Sequence, residues 1–192
     1  MSLAVIQICN LALSAIGEEQ VQSLDDDNEN ARLCALCFEP SRDAVLRGYP
    51  WNRAMDRAQL ASLTEAPAFG YDYQYELPVD CLRVFRLLDA DLLEIEEYRV
   101  EGRKILCNAE APVYLQFVKR LEDSTDMDPL LARAVAALLA HDISYRRSSS
   151  LSLRQTLWTA FEEALKLARD ADAAEGPRDL VTGEDTWLAA RG

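Results

Sequence analysis

Tyr71-Asp72-Tyr73-Gln74-Tyr75-Glu76-Leu77 decides the fold. Aromatic or apolar side chains alternate with polar ones, and a period of two places them on opposite faces of a half-buried strand. Downstream, further strands are expected at 82–88, 95–100, 103–107 and 113–119, with Glu101-Gly102 as a tight hairpin turn.

Upstream of that stretch the period is helical. Residues 3–16 read as a first helix in which Gln7, Asn10 and Ser14 form one narrow polar stripe on a mostly buried surface, with Gly17 as its stop. Asp26 and Glu29 have capping-box spacing, which predicts a second helix beginning near Asn28. This helix carries Ala31, Cys34, Phe38 and Val45 on one face and Arg32, Glu39, Asp43 and Arg47 on another. Pro40 should kink it, and Gly48 and Pro50 should end it. After Tyr49-Pro50-Trp51-Asn52 a short helical stretch is expected to about Leu63.

Helical spacing returns at Asp128, a capping residue followed by Pro129 at the first helical position. From Leu130 to Ala140 only Arg133 is charged, so this helix should cross the core. Ser148-Ser149-Ser150 breaks it, and a fourth helix is expected at 152–174. Its stripe is Leu157, Phe161, Ala164, Ala168 and Ala171, and Glu162 and Lys166 should pair on its surface. Gly176, Pro177 and Gly183 then mark residues 175–192 as an extended tail bearing Trp187 and Leu188. The fold class is α+β, mainly α, with a helical bundle of about four helices. The bundle is drawn from 1–66 and 127–174, with a small antiparallel sheet inserted at 67–126 and an extended C-terminal arm at 175–192.

The 192 residues are 49% hydrophobic, enough to bury a core. A net charge of −13 argues against general nucleic-acid binding, whose affinity comes from Lys and Arg on phosphates, and against anionic membranes. No apolar run is long enough to cross a bilayer. Met1 to Ile16 lacks a basic leader region and is expected to be a helix of the mature fold. Five cysteines without a secretion signal suggest free thiols in a reducing compartment.

The residues offer little chemistry. Cys34-Ala35-Leu36-Cys37 has no second ligand pair for zinc and lies mid-helix, so both thiols are expected to be small buried apolar groups. His141 is the only histidine, and its neighbour Asp142 should point elsewhere on the helix. Glu94, Glu96 and Glu97, near Asp89 and Asp91, could cleave a glycoside only if one carboxyl were desolvated. Seven scattered glycines build no phosphate cradle. Tyr71, Tyr73 and Tyr75 suit core packing or contact with another protein. Arg83, Arg86, Arg99 and Arg103 should form ion pairs, within the sheet or with a neighbouring subunit. No catalytic residue, metal or cofactor is expected.

The ordered set of motifs resembles the tail tubular protein A family, the head-to-tail adaptors of short-tailed bacteriophages. The likeness is carried by Asn10-Leu11-Ala12-Leu13-Ser14-Ala15-Ile16-Gly17, by Glu29-Asn30-Ala31-Arg32, and by Pro40-Ser41-Arg42-Asp43-Ala44-Val45-Leu46-Arg47. It continues in Tyr49-Pro50-Trp51-Asn52-Arg53-Ala54, in the Gly70 to Val84 and Tyr98 to Leu106 stretches, and in Met127-Asp128-Pro129-Leu130. The family pattern usually has an aromatic residue where Arg53 stands.

The resemblance implies a virion protein, assembled in the host cytoplasm, that binds the phage portal as a twelve-copy ring. The ring would extend the DNA channel without binding DNA specifically and would carry tail-nozzle or tail-fibre proteins. It also implies that the C-terminal arm docks on the portal, which makes Trp187, Leu188 and Arg191 candidate docking residues beside Tyr71, Tyr73 and Tyr75. Two other readings remain open: a cell-wall glycosidase of the virion using the Glu94–Glu97 cluster, and a helical interaction module unrelated to phage.

Overall fold

A computed structural model describes residues 4–147 and 150–175. Four helices and two three-stranded antiparallel sheets follow in the order α1 (Val5–Ala15), α2 (Glu29–Arg47), β1 (Met55–Leu60), β2 (Tyr73–Glu76), β3 (Cys81–Leu88), β4 (Tyr98–Glu101), β5 (Lys104–Cys107), β6 (Val113–Lys119), α3 (Pro129–Arg147) and α4 (Leu151–Glu175). The fold is α+β and mainly α, as its periodicities predict.

Each helix end has a local cause. Gly17 takes φ +76° after α1, and the amides of Gly17 and Glu18 bond back to Ser14 and Leu13, a Schellman stop that only a residue at ease with positive φ closes cheaply. Asn28, not Asp26, caps α2: its Oδ1 accepts the Ala31 amide at 2.8 Å. Asp26 instead accepts the amides of Gln22 and Ser23 and folds the loop before the cap. Helix α2 runs unbroken through Pro40. Asp128 caps α3 by accepting the Leu130 amide at 2.8 Å.

The helices share one core. Leu131, Val135, Leu139 and Ile143 of α3 are buried against Ile8 and Leu13 of α1, Cys34, Phe38 and Val45 of α2, and Leu157 and Phe161 of α4. Helix α1 is less enclosed than its narrow polar stripe suggests, because Leu11 and Ala15 are exposed beside Gln7 and Ser14.

Residues 55–60 form strand β1, not a helical stretch. Met55-Asp56-Arg57-Ala58-Gln59-Leu60 has no β-branched residue, yet it pairs along its length with β6, from Met55 opposite Val118 to Leu60 opposite Val113. Tertiary pairing overrides local propensity here. The β-rich part therefore starts before residue 67 and holds two sheets instead of one, ordered β1-β6-β3 and β2-β5-β4. Leu60, Leu87, Leu115 and Phe117 of the first sheet share a core with Tyr75, Ile105 and Cys107 of the second. Gly102 opens the β4–β5 turn at φ +59°, the first central position of a two-residue type II′ hairpin.

Strand β6 joins the two cores. Val113, Leu115 and Phe117 point into the sheet core, while Val118, on the other face, belongs to the helical core. The starts of β1 and β3 and the end of β6 lie together at the bundle, since Met55 pairs with Val118 and Cys81 with Lys119. Their other ends point away from it.

Candidate docking surfaces

The joint between bundle and sheets is built from the Tyr49-Pro50-Trp51-Asn52 stretch. Trp51 is 1% exposed, and its indole N–H donates to the Val45 carbonyl at 3.1 Å. Tyr49 packs edge-on against Trp51, and the Arg169 guanidinium lies over the Tyr49 ring, 5.4 Å from its centroid. Asn52 gives its backbone amide to the Asp172 carboxylate at 2.9 Å and its side-chain amide to the Asp172 carbonyl at 2.7 Å, which ties α4 to the entrance of β1. Burial pushes the Asp172 carboxyl above its ordinary range, and the Asn52 amide pulls it partly back. Arg53 is exposed and lines a small crevice with Asp128, Asp172 and Glu175.

Large apolar side chains are exposed at several places, Val79, Leu36 and Leu167 among them, and two groups of them stand out. One is the distal end of the sheets, where Phe69 is 89% exposed and Leu92 and Leu93 are 63% and 65% exposed. The Leu92–Leu93 loop is held rigidly: Asp89 Oδ1 accepts the amides of Asp91 and Leu93, both at 2.9 Å, and Leu92 sits at φ +63°. A leucine in the left-handed region costs about 1–2 kcal/mol. The second place is the far end of the α3–α4 hairpin, where Tyr145, Leu151 and Trp158 are exposed. Helix α3 starts beside Trp51, and Tyr145 lies sixteen residues on, about 24 Å along the axis. Trp158 packs edge-on against His141 and donates to Glu162 at 2.9 Å. Glu162 thus meets Trp158 instead of Lys166.

The residues considered for docking separate. Tyr75 is fully buried, with its hydroxyl donating to the Ala109 carbonyl at 2.7 Å, so its ring belongs to the core and to no surface. Burial pushes its phenol up to about 12. Tyr73 is half-buried and donates to Glu110 at 3.2 Å, and Tyr71 is half-buried just before β2. Trp187, Leu188 and Arg191 lie outside the described residues, as does the 175–192 arm except Glu175, which closes α4.

The reactive groups are also placed. Cys34 meets Cys9 of α1, not Cys37; contact with the Cys34 thiol and burial both push the Cys9 thiol far above its ordinary range. Burial pushes Cys37 and Cys107 up as well. Cys81 is pushed up by burial against the pull of Arg103 and Arg47, with Asp80 adding to the rise. Among the described residues no group of three or more His, Cys, Asp or Glu could hold a metal ion.

His141 and Asp142 do touch, Nδ1 to Oδ1 at 3.2 Å, contrary to the expectation that they diverge. Ser41 Oγ donates to the other carboxylate oxygen at 2.8 Å. The carboxylate stands between hydroxyl and imidazole, whereas a hydrolytic triad needs the imidazole between them. Glu94, Glu96 and Glu97 are exposed, and Glu94 pairs with Arg86 at 3.3 Å. Among the described residues Arg83, Arg99 and Arg103 form no ion pair within 4.0 Å.

One charged cluster was not legible as a site in the sequence. Arg42, 4% exposed, donates to Asp43 Oδ1 at 2.9 Å, and Arg120 binds Asp43 Oδ2 at 2.8 Å, which fastens α2 to the chain just after β6.

No protein-family model matches the chain, and comparison with curated proteins finds no match.

Proposed function

We propose that this chain is a head-to-tail adaptor of a tailed bacteriophage or prophage, a ring-forming subunit that binds the portal and carries the tail. The observation that supports it most is two groups of exposed apolar side chains, Phe69, Leu92 and Leu93 on the sheet loops and Tyr145, Leu151 and Trp158 at the α3–α4 end, with a helical core and a sheet core joined by β6 between them. Exposed apolar patches at separated ends suit a protein that bridges two partners. The ordered resemblance to the tail tubular protein A family supports the same reading. Acidic character suits a channel through which DNA must slide without sticking.

The ring would form on the portal, whose symmetry raises the local concentration of subunits, so weak contacts between copies suffice. The far α3–α4 end and the chain beyond Glu175 would meet the portal, and the distal sheet loops would meet the tail.

Electron microscopy of the purified chain mixed with the portal protein encoded beside it tests this. Rings capping the portal are expected. Absence of binding with a correctly assembled portal, or a gene far from portal, capsid and tail genes, would overturn the reading. So would turnover of peptidoglycan that disappears in Glu96→Gln or Glu97→Gln.

A further inference from the structure

We infer that an arginine groove between the end of α2 and the β4–β5 hairpin binds the acidic segment Asp179–Leu188 of the same chain. The inference concerns the free chain and stands apart from the portal reading. On that reading, groove and portal compete for one segment.

The groove encloses about 290 Å³ between the last turn of α2, the start of β3 and the β4–β5 hairpin. Arg47, Arg83 and Arg103 line it around Leu82, Tyr98 and Val100. Arg47 donates to the Leu82 carbonyl and Arg103 to the Pro78 carbonyl, so both side chains are held in place. Neither bond uses up a guanidinium, which offers about five N–H donors. Among the described residues none of the three has a carboxylate within 4.0 Å, Asp80 next to Cys81 included. Three such cations in a chain of net charge −13 are a local exception. Val100, 46% exposed, adds apolar surface among them. Guanidinium groups beside apolar side chains fit a ligand that brings carboxylates and an aromatic ring together.

The sequence beyond Glu175 has that chemistry. Between Arg178 and Arg191 every charge is negative: Asp179, Glu184 and Asp185, followed by Trp187 and Leu188. These residues lie outside the described ones, and the place where α4 ends sets their reach. The last turns of α4 run along the stretch that follows Arg47. Arg169 stands beside Gly48 and over the Tyr49 ring, and Asp172 holds Asn52. Arg47 is five residues from Asn52, at most about 18 Å, and Glu184 is nine residues beyond Glu175, a reach of about 30 Å.

A tether of this length sets an effective concentration on the order of millimolar, so a contact of modest intrinsic affinity is filled from within one chain. A second copy, or an unrelated acidic protein, has to displace it from solution.

The indole N–H signals of the full ¹⁵N-labelled chain test this, with a synthetic peptide of residues 176–192 as the reference for the segment in solution. Trp187→Phe identifies the Trp187 signal among the three tryptophans. At about 0.1 M salt, where the screening length of about 10 Å spares close ion pairs, that signal should stand apart from the peptide's and should not move with protein concentration. Arg83→Glu with Arg103→Glu should bring it to the peptide's position, and so should Glu184→Lys with Asp185→Lys. Combining the four substitutions in one chain should restore the displaced position. The Trp158 signal, from the far end of the α3–α4 hairpin, should stay put throughout and reports an intact fold. If the arginine pair disturbs Trp158, the Glu184 and Asp185 pair decides alone. A wild-type Trp187 signal that coincides with the peptide's would overturn the inference. So would a displaced signal that survives the reversals, a displacement that grows with concentration and so belongs to a second copy's segment, or a folded four-substitution chain that stays at the peptide's position. Portal binding is read by electron microscopy and is untouched by any of these results.

Discussion

The carboxamide of Asn10 closes both main-chain hydrogen bonds of Val21: Nδ2 donates to the Val21 carbonyl and Oδ1 accepts its amide, each at 2.9 Å. The side chain thus acts as one rung of a β-ladder and holds the loop after α1 against the helix, with Val21 4% exposed. Asn10→Ala leaves both groups without partners and should cost about 1–3 kcal/mol. Urea unfolding should show a lower midpoint with an unchanged slope.

Asp43 neutralises a buried cation. With Arg42 at 5% side-chain exposure, Asp43→Ala strands that charge and should cost about 3 kcal/mol. Adding Arg42→Met to the same chain should recover part of the loss. A double variant no more stable than Asp43→Ala would place the cost in the Arg120 link instead.

Asp172 carries a pH signature. Its folded carboxyl is raised, mainly by burial, so the native chain holds the proton more tightly than the unfolded chain does. Its stabilising contribution is present in acid and lost as pH climbs through the folded value. Asp172→Asn keeps an acceptor for the Asn52 amide without the charge. As pH rises from about 4 through the folded carboxyl's titration, the wild type should therefore lose stability relative to this variant.

Leu92 is strained where it stands. Leu92→Gly removes the Cβ at φ +63° and should leave the fold unharmed or stabilise it by up to about 1 kcal/mol. Tail-protein binding should weaken at the same time. Calorimetry and a binding titration would show the two effects moving in opposite directions.

Four of the five thiols are buried and Cys37 is half-buried. A thiol reagent at neutral pH should label about one thiol per folded chain, at Cys37, and about five in urea. Fast labelling of Cys9 or Cys34 would mean that the α1–α2 contact opens.

The helices were legible because each states its own period and carries its own cap, as Asp128 and Gly17 do. The strands Cys81–Leu88, Lys104–Cys107 and Val113–Lys119 were legible from alternation and turn residues. Strand β1 was not, because Asp56, Arg57 and Gln59 carry no strand signature and β6 alone imposes the conformation. The candidate surfaces were harder still. The contacts that place Arg47 beside Leu82 and Ser41 beside Asp142 join residues 35 and 101 positions apart, and no local pattern marks them. The tyrosine row was visible as a strand, but which ring would be swallowed depended on the second sheet.

Strands β1, β3 and β6 are each rooted in the bundle at one end and run outward together. Tension applied at the outer loops would pass along the two backbones that continue into the bundle, β1 from α2 and β6 toward α3, with β3 held beside them by its ladder bonds to β6. Because β1 and β6 enter the bundle side by side, a load on the outer loops would be delivered to the helices at Met55 and Lys119.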